Sequence, residues 1–204
     1  TPPTHGGPGH QPITLLPTDV LSVAARRAAG AGVQLAVRVL ARGTDAEPST
    51  ALAAKSALLL TPGLYELDAP IVLQADGFVV LGLGFPTLLA TSGLPALVVA
   101  GAGVRLGGVF LEAATAADAP PTEPLLVWKG DGGVGSDLFT RVAALAYSTP
   151  AKPSCALTRA DTHIQIDGND VVLDNQWMWH ADHDDCGGAS DRCFSAHGLV
   201  VNGD

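Results

Sequence analysis

The chain has 204 residues, 47% of them hydrophobic and only 15% charged, which allows one sizeable core and excludes global disorder. Its formal charge of −9 argues against a nucleic-acid partner, because phosphate binding needs a basic face. No apolar run reaches the length of a membrane span before Gly, Pro or a charge breaks it, and 24 Gly with 15 Pro point to many short strands joined by turns rather than to a helical bundle.

Along the chain, residues 1–17 open as Thr1-Pro-Pro-Thr-His-Gly-Gly-Pro-Gly-His10 and read as an extended tail or linker. Thr18–Gly30 is Ala-rich and is expected to form a short helix capping the open end of a coil. Val33–Arg42 alternates through Val33, Leu35, Val37 and Val39 as an early strand, and Leu58–Leu67 gives strand, Pro62-Gly63 turn and strand.

A repeat then appears. Ile71-Val-Leu-Gln-Ala-Asp-Gly-Phe-Val-Val80, Leu97-Val-Val-Ala-Gly-Ala-Gly-Val-Arg-Leu106 and Ile164-Gln-Ile-Asp-Gly-Asn-Asp-Val-Val-Leu173 overlay without a gap. In each, an apolar pair at i and i+2 precedes a Gly-containing turn, and a second pair begins five residues later. Leu125–Gly133 is a looser copy with a longer loop, and Leu199-Val-Val-Asn-Gly-Asp204 begins the pattern again. Alternation marks a strand with one buried face, and the turn glycines supply positive φ at a corner. Leu73 and Val99 lie 26 residues apart, the length of one coil of three short strands and three turns. Val99 to Ile166 requires two coils plus an insertion, and Ile166 to Val201 one coil plus an insertion, the inserted stretches being Ser148–Asp161 and Ala181–Ala196. The fold class is therefore an all-β, right-handed parallel β-helix over residues 18–204. The stop at Val201-Asn-Gly-Asp204, in mid-turn, carries the expectation that more coils follow and that a further polypeptide segment or a second chain covers this edge.

Chemistry concentrates in Trp177-Met-Trp-His-Ala-Asp-His-Asp-Asp-Cys186 and His197. Trp177 and Trp179 share one face of a strand; if Gln176 and Met178 continue the core face, both indoles project outward and form a platform on which a sugar ring stacks. The other phase buries them. His180, His183 and His197 are candidate hydrogen-bonding groups beside that platform. Asp182 and Asp204 are the candidate carboxylates for glycoside hydrolysis, with Asp184 and Asp185 nearby. His180, Asp182, His183 and Asp184 match no metal signature, and no metal or other cofactor is expected. Cys186 and Cys193 bracket a short polar loop and are expected to form a disulfide; Cys155 leaves an odd thiol, and its pairing with either remains open. The turns Asp167-Gly-Asn-Asp170 and Asn202-Gly-Asp204 are equivalent, so their Asn and Asp side chains can stack as a hydrogen-bonded ladder.

With these residues in view, Trp177-x-Trp-x-Ala-Asp-His183, His197-Gly-Leu-Val-Val-Asn-Gly-Asp204, Thr61-Pro-Gly-Leu-Tyr65 and Val79-Val-Leu-Gly-Leu-Gly84 resemble secreted bacterial β-helix proteins of the pectin-lyase-like and β-1,3-glucanase-like kind, which often carry discoidin-type carbohydrate-binding domains. The resemblance spans residues 58–204 apart from the 184–196 loop. His180 stands where that pattern has Arg, and the Cys-bracketed loop is an insertion. The resemblance implies a secreted protein with a polysaccharide partner, either a glycoside hydrolase of β-1,3-glucanase-like type or a non-catalytic β-helix of a cell surface, wall or extracellular assembly.

Overall fold

The computed structural model describes residues 22–26, 32–40, 57–114, 122–143, 158–181 and 195–204. Among them there is no helix, and the strands wind as a parallel β-helix. After β1 (Ser22–Arg26) and β2 (Gly32–Leu40), the first coil comprises β3 (Ala57–Leu60), β4 (Leu64–Leu67) and β5 (Ile71–Leu73). The second comprises β6 (Val79–Gly82), β7 (Thr87–Ala90) and β8 (Leu97–Val99). In the next two coils the first pair of strands runs on as one bent strand: β9 (Arg105–Ala113) with β10 (Leu126–Trp128), then β11 (Val134–Ala143) with β12 (Thr162–Ile166). The fifth coil holds β13 (Val172–Asp174), β14 (Trp177–Ala181) and β15 (His197–Val201). One sheet runs through β2, β3, β6, β9, β11 and β13, with β4, β7 and β14 alongside; the second stacks β5, β8, β10, β12 and β15.

The sequence copies become stacked rungs. Ile71, Leu97, Leu126, Ile164 and Leu199 are register partners from coil to coil, as are Leu73, Val99, Trp128, Ile166 and Val201. Except in the fifth coil these side chains are buried, each contributing about 1.5–3 kcal/mol through the area it removes from water. The spacing Val99 to Ile166 is two coils, as expected. The copy at Leu125–Gly133 differs from the expectation, because its turn is not longer. Register puts Leu126 opposite Leu97, so Gly130 and Gly132 match Gly101 and Gly103. Gly133 then occupies the place of Val104. A side chain there would run into the six-membered ring of Trp128, which is fully buried. One large residue thus fills the space that two medium ones fill elsewhere, and this volume swap hides the repeat.

The N-terminal cap also differs from the expectation. Ser22–Arg26, within the stretch expected to be helical, is a strand paired antiparallel to β2, from Ser22 opposite Ala36 to Arg26 opposite Gly32. The edge of β2 presents a row of backbone donors and acceptors, and satisfying them outweighs the helix propensity of a few alanines. The tail of residues 1–17 lies outside the described residues.

Candidate functional site: an aromatic file on the outer wall

Each coil turns a corner between its first and second strands, and that corner aims the site. Gly108, Asp137 and Asn175 all adopt left-handed backbone, with φ of 70°, 51° and 53°. Gly reaches this region freely, and Asp and Asn reach it more readily than other residues. The Asn175 amide also donates to the Asp137 carboxylate one coil below. Two residues beyond each corner stand Phe110, Phe139 and Trp177, register partners on β9, β11 and β14. Of their inward neighbours in sequence, Leu111 and Thr140 are buried and Met178 is partly buried against the same core.

The outward rings therefore line up along the helix axis, on one wall. Phe85 stacks on Phe139 with centroids 4.9 Å apart, and Phe110 meets Phe139 edge-on at 6.5 Å. Phe139 meets Trp177 edge-on at 5.9 Å, and Trp177 stacks on Trp179 at 5.3 Å. Trp177 is 53% exposed, whereas Trp179 is half-buried. Both indoles point outward, with Met178 packed against the core between them, so the phase of the strand is settled.

Beside the rings lies a buried ion pair. Glu112 and Arg141 are cross-strand neighbours on β9 and β11, and Arg141 is in turn the neighbour of Trp179 on β14. Arg141 Nη2 lies 2.7 Å from Glu112 Oε2, with the Glu112 side chain wholly shielded from solvent and that of Arg141 13% exposed. The guanidinium carbon sits 4.9 Å from the Phe110 ring centre and 5.7 Å from that of Trp179.

His180 lies on the side of β14 opposite the indoles, next to Val142 in the register and close enough to His163 to affect its titration. His163 is buried and hydrogen-bonded through Nδ1 to Thr140 Oγ1 at 2.8 Å. Desolvation, aided by the charge of His180, lowers its pKa from 6.5 to about 4. His197 begins β15, on the second sheet opposite Thr162. Asp204 stands on the corner leading out of that sheet, where its backbone N–H donates to Asn169 Oδ1 at 3.0 Å. The same corner carries the anticipated ladder: Asn169 N–H donates to Asp131 at 2.8 Å, and the Asn202 amide donates to Asp167 at 2.8 Å. Trp177 and Trp179 are thus brought together, while His197 and Asp204 lie on other parts of the coil. Asp182, His183, Asp184, Asp185 and the three cysteines lie outside the described residues, as do most of the two inserted stretches.

Sequence reading missed Phe85, Phe110, Phe139, Glu112 and Arg141, which converge only when coils of unequal length stack. The signal is faint but present: Val109-Phe-Leu-Glu112, Leu138-Phe-Thr-Arg141 and Gln176-Trp-Met-Trp179 overlay as apolar or amide, aromatic, inward residue and outward residue.

Residues 37–204, nearly the whole β-helix, match the family model described as the LAM55 pectate lyase-like domain. The chain belongs to this family. The resemblance to pectin-lyase-like and β-1,3-glucanase-like helices is thereby borne out. Among curated proteins, an exo-beta-1,3-glucanase of Streptomyces sp. (strain SirexAA-E / ActE) is 32% identical over 149 residues, covering 72% of this chain and 24% of that protein. The chain spans about a quarter of the length of this relative. No solved structure matches the chain significantly. Among the described residues, no helix is long and apolar enough to cross a membrane, and no group of three His, Cys, Asp or Glu side chains could hold a metal ion.

Proposed function

We propose that this β-helix binds a β-1,3-glucan-like polysaccharide on its aromatic wall, as part of an extracellular glycoside hydrolase. The observation that carries the reading is Trp177, an indole more than half exposed at the end of a file of rings on the outer wall. Water gains little from an indole so placed, whereas the C–H face of a sugar ring covers it and loses few hydrogen bonds in doing so. The family membership and the exo-beta-1,3-glucanase relative support the choice of polymer. A substrate of that size does not cross membranes, which supports an extracellular setting for the protein.

The carboxylate we assign to bond cleavage is Asp182, next in sequence to Ala181, the last residue of the strand that carries the indoles. A second reading, a β-helix that binds glycan without cleaving it, is favoured by one observation. Glu112, the carboxylate beside the rings, is sealed in an ion pair and cannot reach a glycosidic bond.

One titration separates these readings. β-1,3-glucan oligosaccharides added to the protein should change its indole fluorescence, and Trp177→Ala should weaken the binding about tenfold, the loss of one stacked ring. Trp177→Ala binding as tightly as the parent would refute the wall as the site. Asp182→Asn should lower the release of reducing ends about a hundredfold while leaving that binding intact. Unchanged release would refute the assignment of cleavage to Asp182, and no release from the parent would leave the non-catalytic reading.

A further inference from the structure

We propose that Glu112 and Arg141 are positioning residues: the buried carboxylate fixes the guanidinium, and the guanidinium braces Phe110 and Trp179 so that Trp177 keeps its stacked, outward pose. The proposal rests on the reading of Trp177 as the ring that meets the sugar. Three neighbouring strands supply the parts in order, with Glu112 beside Arg141 and Arg141 beside Trp179. The guanidinium approaches the Phe110 ring from one coil and the Trp179 ring from another, at 4.9 and 5.7 Å. Trp179 in turn carries Trp177 on its face at 5.3 Å.

Packing alone does not require a charge in this column. One coil below Glu112, the register partner is Leu89, fully buried and apolar. Burying a carboxylate is costly unless a cation answers it, and even then an apolar residue often serves stability as well. What the pair adds over a leucine is direction. A carboxylate fixes the plane of a guanidinium, and a planar cation selects the face of an aromatic ring. Lysine satisfies the charge of Glu112 equally but has no plane to offer, which separates orientation from neutralisation.

The test uses Arg141→Lys and Glu112→Gln in the full chain, with two readouts. Stacked indoles couple excitonically and give a bisignate circular dichroism band, which reports the Trp177–Trp179 geometry without any ligand. Titration with β-1,3-glucan oligosaccharides reports its consequence. Arg141→Lys should melt as the parent does, lose most of the bisignate band and bind about tenfold more weakly. Glu112→Gln should lose the band as well, since a neutral amide holds the guanidinium less firmly. The proposal is overturned if Arg141→Lys retains the band, if it loses the band yet binds as the parent does while Trp177→Ala binds more weakly, or if it fails to fold, which would make the pair a structural element. Trp177→Ala keeps the two readings apart. If it binds like the parent, the wall is not the sugar site, while the dichroism of Arg141→Lys still decides whether the pair holds the rings.

Discussion

Among the described residues, His163 is the one whose burial makes the interior of this coil sensitive to pH. In the columns around it, Leu88 and Leu111 fill the lumen, but the fourth coil places Thr140 there and answers it with His163. A neutral imidazole satisfies the hydroxyl, and an imidazolium in that place is desolvated and repelled by His180. The folded-state pKa, about 4, lies below the unfolded value of 6.5, so between these values the unfolded chain holds more protons. Stability should therefore be full above pH 6.5, fall as pH drops from 6.5 towards 4, and level off below as far as this group is concerned. The whole step is at most about 3 kcal/mol, from 1.36 kcal/mol per pKa unit. Thermal melts across that window check it against His163→Leu, which should melt lower at pH 7, because Thr140 loses its partner, but with a flatter slope. Equal slopes would contradict the assignment.

The turn between the second sheet and the next coil contains two glycine positions, and the structure separates their reasons. Gly101, Gly130, Gly168 and Gly203 stack in one column, where a Cβ would strike the backbone carbonyl of the residue below. Two residues on, Gly77, Gly103, Gly132 and Asp170 share left-handed backbone, with φ between 54° and 65°. Sequence reading attributes both to positive φ, yet only the second position needs it; the first is steric, between coils. Gly130→Ala should therefore destabilise far more than Gly132→Ala, which meets nothing within 4 Å and incurs about 1 kcal/mol of left-handed strain. Thermal unfolding of the pair is the check, and equal losses would overturn the distinction. At this scale the sequence was legible wherever inward residues repeat in size, as at Ile71, Leu97 and Ile164. It was obscured where Trp128 and Gly133 exchange volume, and it misled at Ser22–Arg26, where a strand edge overrides local helix propensity. The indoles could be placed because i and i+2 share a strand face. Glu112 and Arg141 were carried only by the faint overlay of Val109–Glu112 on Leu138–Arg141, because their adjacency depends on the length of chain between coils.

For the whole molecule, the β-helix turns short sequence copies into long parallel files, and the file of rings is one of them. Parallel rungs lie about 4.8 Å apart, so a residue chosen for the same place in successive coils meets its counterpart whatever the intervening chain does. The long intervening stretches in the third to fifth coils all fall between the second strand and the third, after Ala113, Ala143 and Ala181. The left-handed corner recurs at Gly108, Asp137 and Asn175 in all three of these coils. A surface of this kind suits an extended polymer better than a small ligand, because its contacts repeat along a line. The most direct test of that claim is a crystal structure of the chain with a β-1,3-glucan oligosaccharide. The account predicts a sugar ring lying against the exposed face of Trp177, with Arg141 still between Phe110 and Trp179. Oligosaccharide bound elsewhere with Trp177 bare would contradict it.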